Sequence, residues 1–238
     1  MTAASGERSP ARPVLVIETA TSRAVIALGT LDGELLAVDE WEAGHRHAEE
    51  LLVRIAALLA RAGIGRPGPG ALAGIVAGTG PGGFTGLRVG LATAHGIARA
   101  AAAPLVGVPT GVALEAAARA TGAVPPSGEV ALLLPAGSAG RYLVRDGRAT
   151  LAPPDGPPGD PAPGAALVAV DLVGRVPGDA AARGAVARAG LAAALLHLGA
   201  ARLREGADDG AALGPEYVTM PRGVTVAPGE VAWSPERP

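Results

Sequence analysis

The sequence predicts an α/β fold made of two lobes, of which the second is the smaller. Three observations predict it. Short runs of β-branched and aliphatic residues alternate with helical segments along the chain. A glycine-rich turn at residues 78–83, Gly-Thr-Gly-Pro-Gly-Gly, joins a β-like run to a helical segment. After a Pro/Gly break at residues 125–128, a second and weaker set of strands and helices follows.

The first lobe, predicted for residues 13–108, begins with a three-stranded antiparallel meander. The Asp32-Gly33 pair between its second and third strands is typical of a two-residue hairpin turn. All three strands are rich in Val, Ile and Leu, and they are predicted at residues 14–17, 24–28 and 34–39.

A helix and a strand-turn-helix-strand passage complete the first lobe. Residues 44–63 have the apolar spacing of an amphipathic helix, and Gly63 is a natural helix end. A strand at 74–77, the glycine turn, a helix at about 84–103 and a strand at 104–108 follow. Small residues dominate the second helix, which suits close approach of another helix. An Ala-rich chain shows the same pattern without any such role.

The second lobe, predicted for residues 109–223, is reduced. Thr110 begins a helix that runs to about Ala120. Residues 179–204 are Ala/Leu-rich and helical, with Gly184, Gly190 and Gly199 weakening the helix. Residues 153–163 form a loop rich in Pro, Gly and Asp. Three strands are predicted between these elements, at residues 130–134, 142–144 and 167–170.

The two ends of the chain are predicted to lie outside the lobes. We expect residues 1–12 to be a disordered tail and residues 224–238 to be a loose C-terminal tail. The order of the remaining elements is that of the two-lobed actin-like (ASKHA, ribonuclease-H-like) architecture, with a reduced second lobe.

The composition excludes several kinds of chemistry. The 238 residues include no Cys, Lys, Asn or Gln, which rules out disulfides, thiolate metal sites, Schiff bases and a P-loop lysine. The net charge of −2 gives the chain as a whole no electrostatic attraction to nucleic acid. The first residues lack the apolar segment of a signal peptide, and no strongly apolar stretch reaches about 18 residues. We therefore expect a cytoplasmic protein without a membrane span.

The glycine turn has two interpretations. Four glycines and a proline imply positive φ angles or close approach of the backbone to another group. At a helix start such a loop exposes N–H groups and suits an anion. The Gly-x-Gly-x-x-Gly match at Gly78, Gly80 and Gly83 is too common a pattern to decide. The alternative is that the glycines only allow a tight turn to pack.

Three segments resemble the TsaB (YeaZ) family. They are IETATSRAVIALG at residues 17–29, HRHAEELL at 45–52, and GTGPGGFTGLRVGLATAHGIA at 78–98 followed by PLVGVPT at 104–110. PEYV at 215–218 is a weaker fourth match. The resemblance covers residues 13–120 well and the rest of the chain loosely.

The resemblance implies an accessory role in tRNA modification. Proteins of this family are non-catalytic dimerisation or scaffold partners of TsaD, the transferase that threonylcarbamoylates adenosine 37 of tRNA, and they act with a small ATPase, TsaE. It therefore implies TsaD and TsaE as partners, a homodimer when TsaD is absent, and contact with tRNA only through the complex. It implies no cofactor for this chain alone, whereas the complex can hold ATP or ADP.

The resemblance also implies site residues. A vestigial nucleotide site would comprise Thr19, Thr21, Gly80, Gly82 and Gly83. For Thr19 and Thr21, hydrogen bonding within their own turn is the alternative. Helices at 47–62 and 85–102 would form the partner interface, through His47, Leu51, Arg54, Arg88, Leu91, Ala94, His95 and Ala98.

The metal site of TsaD is expected to be absent. TsaD holds its metal with a His-x-x-x-His pair, and this chain has Thr110 and Leu114 at the matching positions. Neither residue replaces an imidazole ligand. No metal site and no catalytic residue are therefore expected.

Two alternatives remain at this point. The first is an ATP-dependent transferase or kinase of the same fold, for which Glu18 and then Asp171 are the best-placed carboxylates to hold Mg²⁺. The second is a protease of its partner. Ser22, Ser138 and the four histidines lie in separate segments, so no Ser–His pair can be assigned.

Overall fold

The computed structural model describes residues 12–43, 47–137, 140–152, 164–206, 210, 212–218, 224–227 and 230–233. Apart from Arg12, the predicted disordered tail lies outside the described residues, as do the predicted loop at 153–163 and Ser138. Within the described part, helices and two main sheets confirm the predicted α/β class.

The first sheet has five strands in the order β3-β2-β1-β4-β5. They are β1 (Val14–Glu18), β2 (Arg23–Gly29), β3 (Leu35–Glu42), β4 (Gly74–Gly78) and β5 (Leu105–Val108). The first three pair antiparallel, which confirms the predicted meander, whereas β1, β4 and β5 are parallel. Every residue of the three parallel strands is buried, because helices cover both faces of the sheet.

Two helices cover one face of the first sheet. They are α1 (His47–Arg61) and α2 (Phe84–Ala101). Leu58 of α1 and Leu87 of α2 pack with Ile75 of β4 in one buried cluster. This burial explains the apolar periodicity from which both helices were predicted.

The second sheet has four strands in the order β8-β7-β6-β9. They are β6 (Val130–Ala136), β7 (Gly140–Arg145), β8 (Arg148–Ala152) and β9 (Ala166–Ala169). The Asp146-Gly147 pair predicts a hairpin turn after β7, but the sequence analysis assigns no strand to the residues of β8, RATLA, because they lack a clear apolar alternation. β8 forms by pairing antiparallel with β7 across a tight turn in which Asp146 and Gly147 have positive φ angles.

Three helices belong to the second half of the chain. They are α3 (Thr110–Ala120), α4 (Gly178–Ala189) and α5 (Leu191–Glu205). The helical segment predicted at residues 179–204 forms two helices, since α4 and α5 are bent by 54° at a break between them. Gly190 lies at this break against α3, where a Cβ atom would be 2.8 Å from Cγ2 of Thr121. Glycine thus permits the close approach at the bend.

One shared core joins the two lobes. Leu114 of α3 and Leu195 of α5 are buried in the same cluster as Val16 of the first sheet and Leu132 of the second. The predicted boundary at residues 108 and 109 therefore separates the two sheets but not their cores.

Helix α5 packs directly on the first sheet, although the sequence analysis assigns it to the second lobe. A Cβ atom on Gly74 would lie 2.6 Å from Leu203, and one on Gly199 would lie 2.3 Å from Val76. The absence of these two side chains lets α5 lie against the sheet.

A short hairpin lies near the end of the chain, where the sequence predicts a loose tail. β10 (Val224–Ala227) and β11 (Glu230–Trp233) pair antiparallel. Valine alternation on β10 and the Pro-Gly dipeptide at 228–229 favour this arrangement.

Among the described residues, no helix taken singly is long and apolar enough to cross a membrane. The pair α4 and α5 meets the length and composition requirement only when its two bent helices are taken together.

Replacing Leu195 by Ala should destabilise the fold strongly, because Leu195 is fully buried between the two sheets. We expect the free energy of unfolding to fall by about 2–5 kcal/mol, as for other buried leucines. Leu52→Ala is the matched control, since Leu52 is a helical leucine that is 58% exposed. Urea unfolding followed by circular dichroism measures both. Equal losses in the two variants would contradict the shared core.

Candidate functional site

The glycine turn is attached to the start of α3. Gly80 has a φ of 95°, which favours glycine. Its N–H donates to Oγ1 of Thr110 at 3.0 Å, and the N–H of Thr110 donates to the carbonyl of Gly80 at 2.7 Å. This reciprocal pair fixes the turn between β4 and α2 on the first residue of α3.

The glycine turn also packs against the turn between β1 and β2. The N–H of Gly83 donates to the carbonyl of Ala20 at 2.7 Å. A Cβ atom on Gly82 would lie 2.1 Å from the same carbonyl oxygen, so only glycine fits there. Thr19 donates from Oγ1 to the carbonyl of Gly86 at 2.8 Å, inside the first turn of α2.

The structure therefore brings together most of the predicted nucleotide-site residues. Thr19, Gly82 and Gly83 meet through direct packing of the two turns, and Gly80 lies beside them. Thr21 instead donates from Oγ1 to the carbonyl of Arg23 at 2.6 Å, within its own turn.

Several N–H groups of the glycine turn are already used within the protein. Thr79 donates to the carbonyl of Val108 at 2.9 Å, while Gly80 and Gly83 donate to Thr110 and Ala20. This geometry agrees with the interpretation of the glycines as a tightly packed turn. The nucleotide-binding role of the five residues stays a prediction.

Glu18 lies fully buried at the end of β1. Thr110 donates from Oγ1 to its Oε2 at 2.6 Å, and the N–H of Ala20 donates to its Oε1. A Cβ atom on Gly78 would lie 2.0 Å from Oε2, so glycine makes room for the carboxyl group. Burial raises the pKa of Glu18, and the hydrogen bonds from Thr110 and Ala20 oppose that rise only in part.

The second carboxylate considered for Mg²⁺, Asp171, links the two lobes. Its Oδ2 accepts the N–H of Ser22 at 2.7 Å, and its Oδ1 accepts Nη1 of Arg188 at 2.6 Å. Glu18 is sealed inside the core and Asp171 is occupied by these two donors. Both carboxylates therefore accept hydrogen bonds from groups of the protein itself.

The two residues at the positions that the resemblance assigns to the metal ligands of TsaD do not fit a metal ion. Thr110 and Leu114 are both fully buried; Thr110 is bonded to Glu18, and Leu114 packs in the shared core. In the part of the chain that the structure describes, no three His, Cys, Asp or Glu side chains are grouped so that they could hold a metal ion.

Three of the predicted interface residues prove to be core residues. Leu51, Leu91 and Ala94 are buried between the helices and the first sheet. They face inward because the apolar side of each helix, from which the helices were predicted, packs on the sheet. In this chain they contact the core and present no surface to a partner.

The other predicted interface residues have contacts of their own. Arg54 pairs with Asp39 and Glu50 and lies 4.6 Å from the ring centre of Trp41. His95 lies with Nε2 2.9 Å from the carbonyl oxygen of Leu213. Ala98 is partly buried against the core, and His47 begins α1 but its side chain lies outside the described atoms.

The exposed face of the first helix pair was missed by the sequence analysis. Leu52 and Val53 of α1 are 58% and 69% exposed. On α2, Ala92 and Gly96 are exposed, and apart from the neighbouring residues and backbone of α2 itself, no atom lies within 4 Å of the position that a Cβ atom on Gly96 would take. Because α1 carries apolar residues on both sides, periodicity alone does not identify this second apolar face.

Arg88 belongs to an aromatic cluster that joins α2 to the C-terminal segment. Its guanidinium lies 3.8 Å from the ring centre of Phe84, and its Nε donates to the hydroxyl of Tyr217 at 2.7 Å. The N–H of Glu216 donates to the carbonyl of Thr79 at 2.7 Å, and burial raises the pKa of Glu216. The PEYV match was the signal that could have placed this segment at the glycine turn.

A cavity of about 340 Å³ lies behind the glycine turn. It contains one guanidinium, from Arg202, and one carboxyl group, from Glu216. None of the five predicted nucleotide-site residues is among the residues that line it, which are Thr79, Gly107, Pro109, Arg202, Ala212, Leu213, Gly214 and Glu216.

The buried carboxyl of Glu18 should make stability depend on pH. Because burial raises its pKa above the ordinary 4.5, the neutral form stabilises the fold fully below that pH, and this contribution is lost as the pH rises through the folded-state pKa. We expect wild type to lose free energy of unfolding relative to Glu18→Gln as the pH rises above about 5. Urea unfolding at each pH measures it.

The exposed Glu42 provides the control for that experiment. Glu42→Gln makes the same chemical change at the end of β3 and should leave the pH dependence of wild type unchanged. A Glu18→Gln profile parallel to wild type would show that Glu18 is not the group responsible.

Comparisons with known proteins agree with this geometry. Two solved structures share the fold: an uncharacterised Pseudomonas aeruginosa protein with similarity to the peptidase YeaZ, and YeaZ from Pseudomonas aeruginosa. The first is 21% identical with a TM-score of 0.64, and the alignment covers 87% of this chain and 99% of that one. The second is 23% identical with a TM-score of 0.59, covering 86% and 99%. These likenesses show that the chain shares the fold of YeaZ.

No curated protein matches the sequence significantly. The family model of TsaD, the tRNA N6-adenosine threonylcarbamoyltransferase, matches residues 41–188. This match spans more than half of the chain and includes α1, the glycine turn, α3 and all four strands of the second sheet. The chain therefore belongs to the tRNA N6-adenosine threonylcarbamoyltransferase (TsaD) family, which associates it with threonylcarbamoyl modification of tRNA.

Proposed function

We propose that this chain is a non-catalytic partner of a TsaD-type transferase in the threonylcarbamoylation of adenosine 37 of tRNA. One observation carries the proposal. At the positions where TsaD is expected to hold its metal, Thr110 is bonded to the buried Glu18 and Leu114 lies in the shared core. A chain without these ligands needs a second chain to supply the metal-dependent chemistry.

The exposed face of α1 and α2 is the proposed pairing surface. Leu52 and Val53 expose apolar side chains there, and Ala92 and Gly96 leave open space on the neighbouring helix. Exposed apolar groups next to small residues favour helix packing against a partner. This surface takes the place of the buried residues named from the sequence.

We propose that the two pairing partners, a TsaD-type chain and a second copy of this chain, bind this same surface. A TsaD-type chain of the same fold is the first partner, and a second copy of this chain takes its place when that partner is absent, since a helix pair can form a self-complementary two-fold interface. TsaE and ATP or ADP enter only with the complex, and tRNA is reached through it. We place this complex in the cytoplasm.

Gly96→Glu should disrupt pairing without disturbing the fold, because the new side chain enters open space on an exposed helix face. Val53→Glu makes the corresponding test on the neighbouring helix, α1. Each should weaken pairing with the TsaD-type partner at least about tenfold, as for residues near the centre of an interface. Size-exclusion chromatography with light scattering, with TsaE and ATP present, measures it.

Leu151→Glu is the matched control for the pairing experiment. Leu151 is 55% exposed on β8, in the second lobe and away from the helix pair. It should pair as wild type does. Wild-type chain that fails to co-elute with the TsaD-type partner, or variants that pair like wild type, would refute the proposed surface. The mass of the chain in solution with and without partner distinguishes homodimer from heterodimer.

The absence of independent activity is tested with the isolated chain. We expect no ATP turnover above background, because Glu18 and Asp171 are held by protein donors. ATP turnover by the chain alone that Glu18→Gln abolishes would support the kinase or transferase alternative instead.

A further inference from the structure

Four arginines lie at one edge of the first sheet: Arg12, Arg61, Arg66 and Arg99. Strand pairing gives β1, β3, β4 and β5 a common direction. α1 connects the end of β3 to the start of β4, and α2 connects the end of β4 to the start of β5. The last turns of both helices therefore lie where the strands begin, at the edge opposite the glycine turn. This set of four arginines is termed the basic edge.

Backbone contacts bring the two loop arginines to the helix ends. Arg12 precedes β1, and Arg66 lies in the connection from α1 to β4. Gly70 in that connection donates its N–H to the carbonyl of Ala101 at the end of α2, at 3.2 Å. Nη1 of Arg12 lies 4.0 Å from the position that a Cβ atom on Gly70 would take.

The arginines of the basic edge are exposed and lack partners within the part of the chain that the structure describes. None of them makes an ion pair or a hydrogen bond with a described residue. Elsewhere, arginines are commonly paired with carboxylates, as shown by Arg23, Arg54, Arg119, Arg145, Arg183 and Arg188. The basic edge thus holds guanidinium groups that are available to a ligand.

Helix dipoles do not account for the whole set. Arg61 and Arg99 stand in the last turns of their helices, where a positive charge is favourable. Arg12 and Arg66 lie outside any helix and gain nothing from this effect. The clustering of all four therefore points to an external anion.

The described acidic side chains at this end of the sheet belong to its other face. Asp32 and Glu34 flank Gly33 in the turn between β2 and β3, which packs against His197 of α5. Glu205 ends α5 itself. The basic edge lies on the α1 and α2 face.

A cavity of about 460 Å³ opens beside Arg99. His95 and Arg99 supply its polar wall, and Ala98, Ala103 and Leu105 are among its apolar residues. A phosphate group at the mouth of this cavity would meet a guanidinium that can donate two parallel hydrogen bonds.

We propose that the basic edge is a contact surface for the phosphate backbone of RNA, with Arg99 binding a phosphate at the cavity. The choice of RNA over other polyanions rests on the proposed function, because the complex acts on tRNA. Contacts of this kind position an RNA without selecting its sequence. The small number of arginines makes the contact weak in the chain alone.

The test measures binding of a fluorescently labelled tRNA transcript to the full chain by anisotropy, over a series of salt concentrations. Arg99→Glu and Arg66→Glu should each raise the Kd about tenfold at low salt, and each should lower the slope of log Kd against log salt by about one. Arg66 lies in a loop, so its variant keeps the test valid if a helix-end charge reversal at Arg99 affects folding. Circular dichroism checks the fold of both.

Arg148→Glu is the matched control, since Arg148 is an exposed arginine on β8 without a described partner. It should leave the Kd within about twofold of wild type. An equal loss in Arg148→Glu, no tRNA binding by wild type at low salt, or tighter binding to phosphatidylglycerol vesicles than to tRNA would each overturn the proposal.

The outcome is separable from that of the pairing experiment. Gly96→Glu should lose pairing with the TsaD-type partner but keep wild-type tRNA affinity, whereas Arg66→Glu should do the reverse. The pairing measurement tests the proposed function. The comparison of the tRNA Kd between Arg66→Glu and Arg148→Glu tests the basic edge.

Discussion

The arrangement of the site depends on one buried carboxyl group. Glu18 ends the central strand β1, and Thr110 bonds to it while also accepting the N–H of Gly80. These hydrogen bonds are required, because an unsatisfied buried polar group costs several kcal/mol, on the order of 2–7 kcal/mol. A strand end, a turn and a helix start are thereby fixed to one another. In open α/β folds ligands bind at the carboxyl ends of the strands, and Glu18, Thr110 and Gly80 meet at that end of β1.

The first lobe could be predicted in detail because its signals are local. Its strands are apolar runs, and the Asp32-Gly33 pair and Gly63 mark ends that depend only on neighbouring residues. The second lobe could not be predicted as well. β8 forms because the preceding strand, β7, offers it a pairing edge. The break between α4 and α5 lies where Gly190 meets Thr121, just after α3, and so depends on a contact between residues far apart in the sequence.

The difference between local signals and long-range contacts also explains how much of the candidate site could be predicted. The glycine turn was visible in the sequence, but its bond from Thr110 to Glu18 joins residues separated by 92 positions. On α1 and α2, periodicity identified apolar positions without showing which ones face the sheet. Leu51 and Leu52 are neighbours of identical chemistry, one buried and the other exposed, and in an Ala-rich helix Ala94 and Ala92 differ only in what packs against them.

The position of α5 on the first sheet has a consequence for the order in which the protein folds during synthesis. Residues 13–108 leave the ribosome first, but one face of their sheet, including Val16, Val25 and Val76, is covered by residues 191–205. Until those residues emerge, that apolar face has no cover. The first lobe is therefore not an autonomous folding unit, and nascent chains that stall before α5 expose a sheet surface to chaperones or to aggregation.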